Sequence, residues 1–207
     1  MFERVLVLET SGKVGQVALG SGQSIVAEHR LDGAHRRASD LTLVVDRLLK
    51  EQNWKARDLT AVVVGLGPGS YTGLRVGLAS AKALAYATGC SFFGVETFAA
   101  IAYGQAFELS EVTVVGDALQ GKLFHRSYRR DADGNWQPSS PLGIIAAGSQ
   151  EGTVVVANEP RPIDLLGVAA NAPWAVTTDL WRAEPYYLRG SSAEEKVKNE
   201  QAPESGG

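Results

Sequence analysis

Cysteine is almost missing. Cys90 is the only one in 207 residues, which excludes an internal disulfide framework and any multi-cysteine zinc site. Histidine is scarce too: His29, His35 and His125 are the three, and no two stand four apart, so no helix offers a paired-histidine metal site. Long apolar runs are lacking, and the window 59–66 is far too short to span a bilayer. Met1-Phe2-Glu3-Arg4 runs straight into a strand-like pattern with no signal-peptide layout. The expectation is a cytoplasmic protein without membrane contact. There is no excess of positive charge: 20 Lys+Arg stand against 23 Asp+Glu, a net charge of −3. That balance argues against the chain gripping nucleic acid alone, because such binding is mostly phosphate neutralisation. No Gly-x-Ser-x-Gly elbow is present, and neither Ser70 nor Ser80 has a sequence cue for an activating base. What is in surplus is glycine, 23 residues or one in nine, against a usual share of about 7%. Glycine is conformationally costly, so a surplus should serve some purpose.

The first thirty residues predict three short strands, at 4–8, 14–19 and 24–29, separated by Thr10-Ser11-Gly12-Lys13 and Gly20-Ser21-Gly22-Gln23. Connections this short suit an antiparallel meander, since parallel neighbours need a longer crossover. A helix follows over 36–52, with Ala38, Leu41, Val44, Val45, Leu48 and Leu49 on one apolar stripe and Leu43 off it. The run 58–64 predicts a fully buried, parallel strand. A glycine loop comes next, then a helix over 73–88, a strand over 91–95 and a helix over 97–107 capped by Thr97. The order is that of a mixed-sheet α/β domain. Further on, strands are expected at 112–116, 123–128 and 153–157, a turn at 131–135 and a short helix at 164–170. Residues 190–207 carry six charged residues, no aromatic and a single strongly apolar residue, Val197, which predicts a disordered tail.

The loop Gly67-Pro68-Gly69-Ser70-Tyr71-Thr72-Gly73 lies between a buried strand and a helix. Its amides and the helix N-terminus could receive a phosphate, or the loop could simply be a tight turn. It is neither a P-loop nor a dinucleotide fingerprint: Leu74 follows Gly73, and the glycine spacing differs. Gly73, Gly77, Ala81 and Ala85 recur every four residues, which strips one face of the second helix of bulk. That face can meet a backbone closely, either that of its own sheet or that of another subunit. Glycine inside a helix costs roughly 0.8–1 kcal/mol against alanine, a cost that close contact offsets, and the subunit interface is the preferred reading because the first helix also offers the off-stripe Leu43. Glu9-Thr10-Ser11 ends the first strand and could hold phosphate and magnesium, or be an ordinary turn with a solvated acid. Arg126, Arg129 and Arg130, with His125 and Tyr128, form the basic cluster that contains an aromatic. They suit a solvated face or a phosphate contact.

The stretch Gly67-Pro68-Gly69-Ser70-Tyr71-Thr72-Gly73-Leu74-Arg75-Val76-Gly77 resembles the signature of the TsaB family, also called YeaZ. Leu8-Glu9-Thr10-Ser11 resembles the family's first strand end, where Asp-Thr is usual. Asp117-Ala118-Leu119-Gln120-Gly121-Lys122-Leu123-Phe124 resembles its Asp-Ala-Arg-x-x-Glu-Val-Tyr segment, and Pro185-Tyr186-Tyr187-Leu188-Arg189 its closing Pro-x-Tyr-Leu-Arg. Glu9, Leu119 and Lys122 depart from that pattern, so the second half is the more diverged.

The resemblance implies an actin-like ATPase (ASKHA, RNase H-like) fold of two lobes, a mixed sheet flanked by helices. The expected division is an N-terminal lobe with dimerisation helices over 1–107, a reduced C-terminal lobe over 108–189 and the tail over 190–207. It implies a non-catalytic subunit that binds TsaD, and with it TsaE. The complex attaches threonylcarbamoyl to the adenosine next to the anticodon in tRNAs reading codons that begin with A. Alone, such chains form homodimers through the first two helices. The expected interface is Leu41, Val44, Val45 and Leu48 with Gly73, Gly77, Ala81 and Ala85, and tRNA is reached only through the complex. TsaD carries paired metal-binding histidines where this chain has His35-Arg36-Arg37-Ala38-Ser39, so no metal is expected. Nor is a cofactor expected for this chain alone, ATP and metal being carried by the partner subunits. Glu9, Thr10 and Ser11 would be a vestigial nucleotide site. A small actin-fold ATPase or kinase is the alternative, an inactive glycoprotease-like protein a further one, and direct tRNA binding through the arginine cluster a third.

Overall fold

The computed structural model describes residues 2–31, 38–105, 108–150, 152–157 and 160–189. His35, Arg36, Arg37, the end of the helix expected to reach residue 107 and the tail over 190–207 lie outside the described residues.

The predicted meander forms as β1 (Val5–Glu9), β2 (Gly15–Ser21) and β3 (Ser24–Leu31), each antiparallel to the next. Then come α1 (Ala38–Glu51), β4 (Ala61–Gly65), α2 (Tyr71–Thr88), β5 (Ser91–Val95) and α3 (Thr97–Tyr103). Both β4 and β5 run parallel to β1. Alternation sorts the strands onto two cores. Leu6, Leu8, Val62 and Val64 meet α1 and α2 on one face, and Val5, Val7, Ala61 and Val63 point to the other. A sheet covered on both sides explains the unbroken apolar runs.

The second sheet is built from β6 (Glu111–Asp117), β7 (Lys122–Arg130), β8 (Trp136–Pro138), β9 (Gly143–Ala146) and β10 (Val154–Val156). The long β7 pairs with β9 through its first half and with β8 through its second. Asp131 closes the β7–β8 hairpin, its Oδ1 accepting from the N–H groups of Asp133 and Asn135 at 3.0 and 2.9 Å.

The chain then returns to the first sheet. Helix α4 (Pro162–Asn171) packs beside α3 in the core between the sheets, and β11 (Val176–Thr177) pairs with β5. The six-stranded order is therefore β11-β5-β4-β1-β2-β3. The half of the chain read as one reduced lobe over 108–189 thus also supplies a strand and a helix to the first. Residues 178–189 run as a strap over α2 and the glycine loop, with Ala183 buried and the Tyr186 N–H donating to Leu66 O at 2.9 Å. No helix among the described residues is long and apolar enough to cross a membrane.

Two helix ends differ from expectation. Ser70 caps α2, its Oγ accepting from the Gly73 N–H, so the helix starts at Tyr71. For α3 the cap position belongs to Glu96, not Thr97. The Thr97 hydroxyl bonds outside its own helix, and Gly104 ends that helix well before residue 107.

Candidate functional site

The two lobes enclose a cleft of about 620 Å³, within the size range of ligand pockets. Its first-lobe wall is Ser11, Lys13 and the loop residues Pro68–Thr72. Its second-lobe wall is Val115–Leu119, Phe124, Val154 and Val156, and the strap closes it with Tyr186–Arg189. Glu9 does not line it. Its carboxylate is fully buried behind the loop, where Oε1 accepts from the Ser11 N–H at 2.6 Å and Oε2 from the Thr97 hydroxyl at 3.0 Å. Burial pushes its pKa up, against the opposing pull of its bonds to Ser11, Thr97 and Thr10. Gly65 makes room for this acid: a Cβ there would stand 2.0 Å from Glu9 Oε2.

Three of the loop amides are bonded within the protein. Gly67 N–H donates to Thr97 Oγ1 at 3.1 Å, Ser70 N–H to Ser11 O at 2.8 Å and Gly73 N–H to Ser70 Oγ at 3.3 Å. The Thr10 hydroxyl donates back to Gly73 O at 2.8 Å. Tyr71 stacks on Tyr187 of the strap, ring centroids 4.8 Å apart. The residues expected to hold phosphate and magnesium therefore bond one another and tie the loop to the end of β1. Glu9, the acid among them, does not reach the cleft, whereas Ser11, Ser70 and Thr72 line it. Among the described residues no three His, Cys, Asp or Glu side chains gather as a metal site.

The small-residue stripe of α2 is a correction. A Cβ on Gly73 would stand 2.0 Å from Thr10 O, and one on Gly77 2.2 Å from Thr10 Oγ1. Ala81 and Ala85 are 0% and 2% exposed. The stripped face meets the chain's own β1 end and sheet, so it is not open to a partner. Leu41 and Leu48 are likewise buried in the core under α1, and Val44 and Val45 are half-buried against it. One apolar stripe covers one face, and here that face covers the sheet. Among the residues that α1 and α2 leave in solvent are Leu43, 68% exposed, and Thr72, Arg75, Ala79, Ala83 and Tyr86.

The arginine cluster is a second correction, because strand alternation divides it. Arg126 bonds buried Glu96 and also reaches Ser140 O at 3.2 Å, and the Tyr128 hydroxyl donates to the same carboxylate. Arg130 bonds Leu109 O and Gly134 O and lies 4.2 Å from the Trp136 ring centre, while Arg129 pairs with Glu111 at 3.3 Å. No solvated basic patch is left there. The Glu96–Arg126–Tyr128 group joins β5 to β7 across the two sheets. Burial raises the Glu96 pKa against the pull of Tyr128 and Arg126, and burial beside that acid raises Tyr128 well above the usual phenol value of 10.0. Sequence reasoning missed Glu96, since nothing local links it to residues 30 and 32 positions away.

Comparison with known proteins adds four findings. The family model TsaD, tRNA N6-adenosine threonylcarbamoyltransferase, matches residues 32–134. The tRNA threonylcarbamoyladenosine biosynthesis protein TsaB of Escherichia coli is 25% identical over 227 residues, covering 94% of this chain and 98% of that one. The Bacillus subtilis protein of the same name is 28% identical over 126 residues, 60% of this chain and 55% of its own length. Among solved structures, YeaZ from Pseudomonas aeruginosa superposes with a TM-score of 0.72 at 21% identity, over 90% of this chain and all of that one, which shows the fold. The end-to-end similarity to one TsaB and the loop-and-helix signature support the TsaB (YeaZ) family, and the YeaZ structure shows the same fold.

Proposed function

We propose that this chain serves tRNA threonylcarbamoyladenosine biosynthesis as a non-catalytic subunit that binds TsaD, with TsaE joining through that pair. The observation that carries the reading is the seat of Glu9. The acid at the end of β1 is buried under the loop and holds Ser11 and Thr97, so it does not face the cleft. Such an acid organises the loop; it does not hold a metal-bound nucleotide. ATP and metal then belong to the partner subunits, and tRNA is engaged within the complex. The exposed ridge of α2 (Thr72, Arg75, Ala79, Ala83), beside Leu43 of α1, is the surface offered to TsaD or, without it, to a second copy. An alanine-lined ridge lets a facing helix approach closely.

The test is co-purification. Leu43→Asp with Ala83→Arg should leave a folded chain that no longer retains TsaD on a column, whereas Glu9→Gln should retain it. ATP hydrolysis by the isolated chain that disappears in Glu9→Gln would restore the small actin-fold ATPase as the better reading.

A further inference from the structure

Strand β3 ends the six-stranded sheet. Its sequence is Ser24-Ile25-Val26-Ala27-Glu28-His29-Arg30-Leu31, and β2 is its only neighbour among the described strands. A sheet edge of this length is a template on which another chain can pair. Proteins commonly blunt such edges with Pro, Lys or a bulge. Strand β3 has no Pro and no Lys. It does have one bulge: Leu19 pairs with Ala27 and Gly20 with Ile25, so Val26 is the extra residue. From Ala27 to Leu31 the register against β2 is unbroken, which leaves a regular edge beyond the bulge.

Side chains alternate along that edge. Glu28 and Arg30 are exposed and share one face of the sheet. Ala27 and Leu31 are on the other, packed in the core under α1, with half-buried His29 between them. The two exposed charges are opposite in sign and two residues apart. A second β3 laid antiparallel about a two-fold axis at His29 sets each Glu28 opposite the other copy's Arg30. The same register sets Ala27 opposite Leu31. Both faces are then matched, charge with charge and apolar with apolar. An axis at Glu28 or at Arg30 would set like charges opposite each other, which destabilises a strand pair. An axis at Ala27 would set Glu28 opposite Val26, at the bulge. The charges of this edge therefore admit a second copy and select one register for it.

We propose that the edge 27–31 pairs with the same edge of a second copy of this chain, so that the two six-stranded sheets continue into one across a two-fold axis at His29. The inference goes beyond the proposed function, because this edge is not the ridge offered to TsaD. Strands β1 and β2 separate β3 from β4, on which α2 packs. Two copies joined along β3 keep both α2 ridges outward, and each can hold a TsaD. The contact is self-complementary, so it closes at a dimer.

The experiment uses the full chain carrying Leu43→Asp and Ala83→Arg, which close the ridge to a second copy, and Cys90→Ser, which removes the native thiol. Sedimentation should find a dimer. Glu28→Arg should raise its dissociation constant roughly 2- to 30-fold from the two lost charge pairs alone, and Glu28→Arg combined with Arg30→Glu should restore it. Cysteines read the register. Residues directly opposite stand about 4.5–5.5 Å apart between Cα atoms, within disulfide reach, so His29→Cys should cross-link to itself under mild oxidation. Glu28→Cys and Arg30→Cys chains should cross-link when mixed, and neither should do so alone. A chain that sediments as a monomer overturns the proposal. So does a dimer indifferent to Glu28→Arg, or one that cross-links through Glu28→Cys alone.

Discussion

At the scale of the residue, two buried acids organise this molecule. Glu9 and Glu96 each end a strand of the first sheet, and each is raised above its ordinary pKa of 4.5 chiefly by burial. A carboxyl with a raised pKa binds its proton in the folded state while the unfolded chain has already lost it. Stability is therefore full below the unfolded value and falls as pH rises from 4.5 toward the folded value. Glu9→Gln should remove part of that fall, and urea midpoints measured from pH 4.5 to 7.5 will show it as a flatter curve. An unchanged slope would mean that Glu9 is ionised and solvated in the folded protein. Glu96 lies in a buried ion pair, where removing one partner is expensive and replacing the whole group is not. Glu96→Ala should cost about 3–5 kcal/mol, and Glu96→Leu combined with Arg126→Met should recover most of it. Urea unfolding of the three chains separates these outcomes.

At the scale of the element, α2 explains both what the sequence made legible and what it did not. Its C-terminal end, its loop and its stripped face were readable, whereas the Ser70 cap starts it two residues earlier than the glycine spacing suggests. The direction of that face was not readable. A small-residue stripe looks the same whether the approaching backbone is a partner's or the chain's own, and here Thr10 is what approaches. Gly77→Leu should therefore do more than block pairing. It drives a side chain into Thr10 and should destabilise the chain by about 3 kcal/mol or more, the upper end of overpacking costs. A lowered thermal midpoint by circular dichroism is the check, and Ala79→Leu on the exposed side should leave that midpoint nearly unchanged. The inner strands of the first sheet were legible for a related reason: β1 and β4 are unbroken, fully buried apolar runs but for their final residues. Strands β8, β9 and β11 were not read as strands, since two to four residues carry too little pattern and owe their form to β7 and β5. The arginine cluster misled because linear proximity hides the two-residue alternation that sends Arg126 and Arg130 to one face and Arg129 to the other.

At the scale of the whole molecule, two sheet-based lobes flank a cleft, and the acid at the end of β1 is used internally, away from it. The glycine loop leans on the end of β1, the strap lies on the loop, and Glu96 joins one sheet to the other. The glycine surplus noted at the outset is partly accounted for by this close internal packing. What remains outward is the ridge of α2, Tyr86 included, with exposed Leu43 of α1 and Trp181 of the strap. On the proposed function, these are the surfaces that the chain offers to an assembly. The most direct measurement is threonylcarbamoyladenosine formation on tRNA by TsaD and TsaE of the same organism, supplied with this chain or its variants. The account predicts that modification requires the chain, persists with Glu9→Gln and is lost with Leu43→Asp plus Ala83→Arg. Full modification without the chain, or its abolition by Glu9→Gln in a folded complex, would contradict the account.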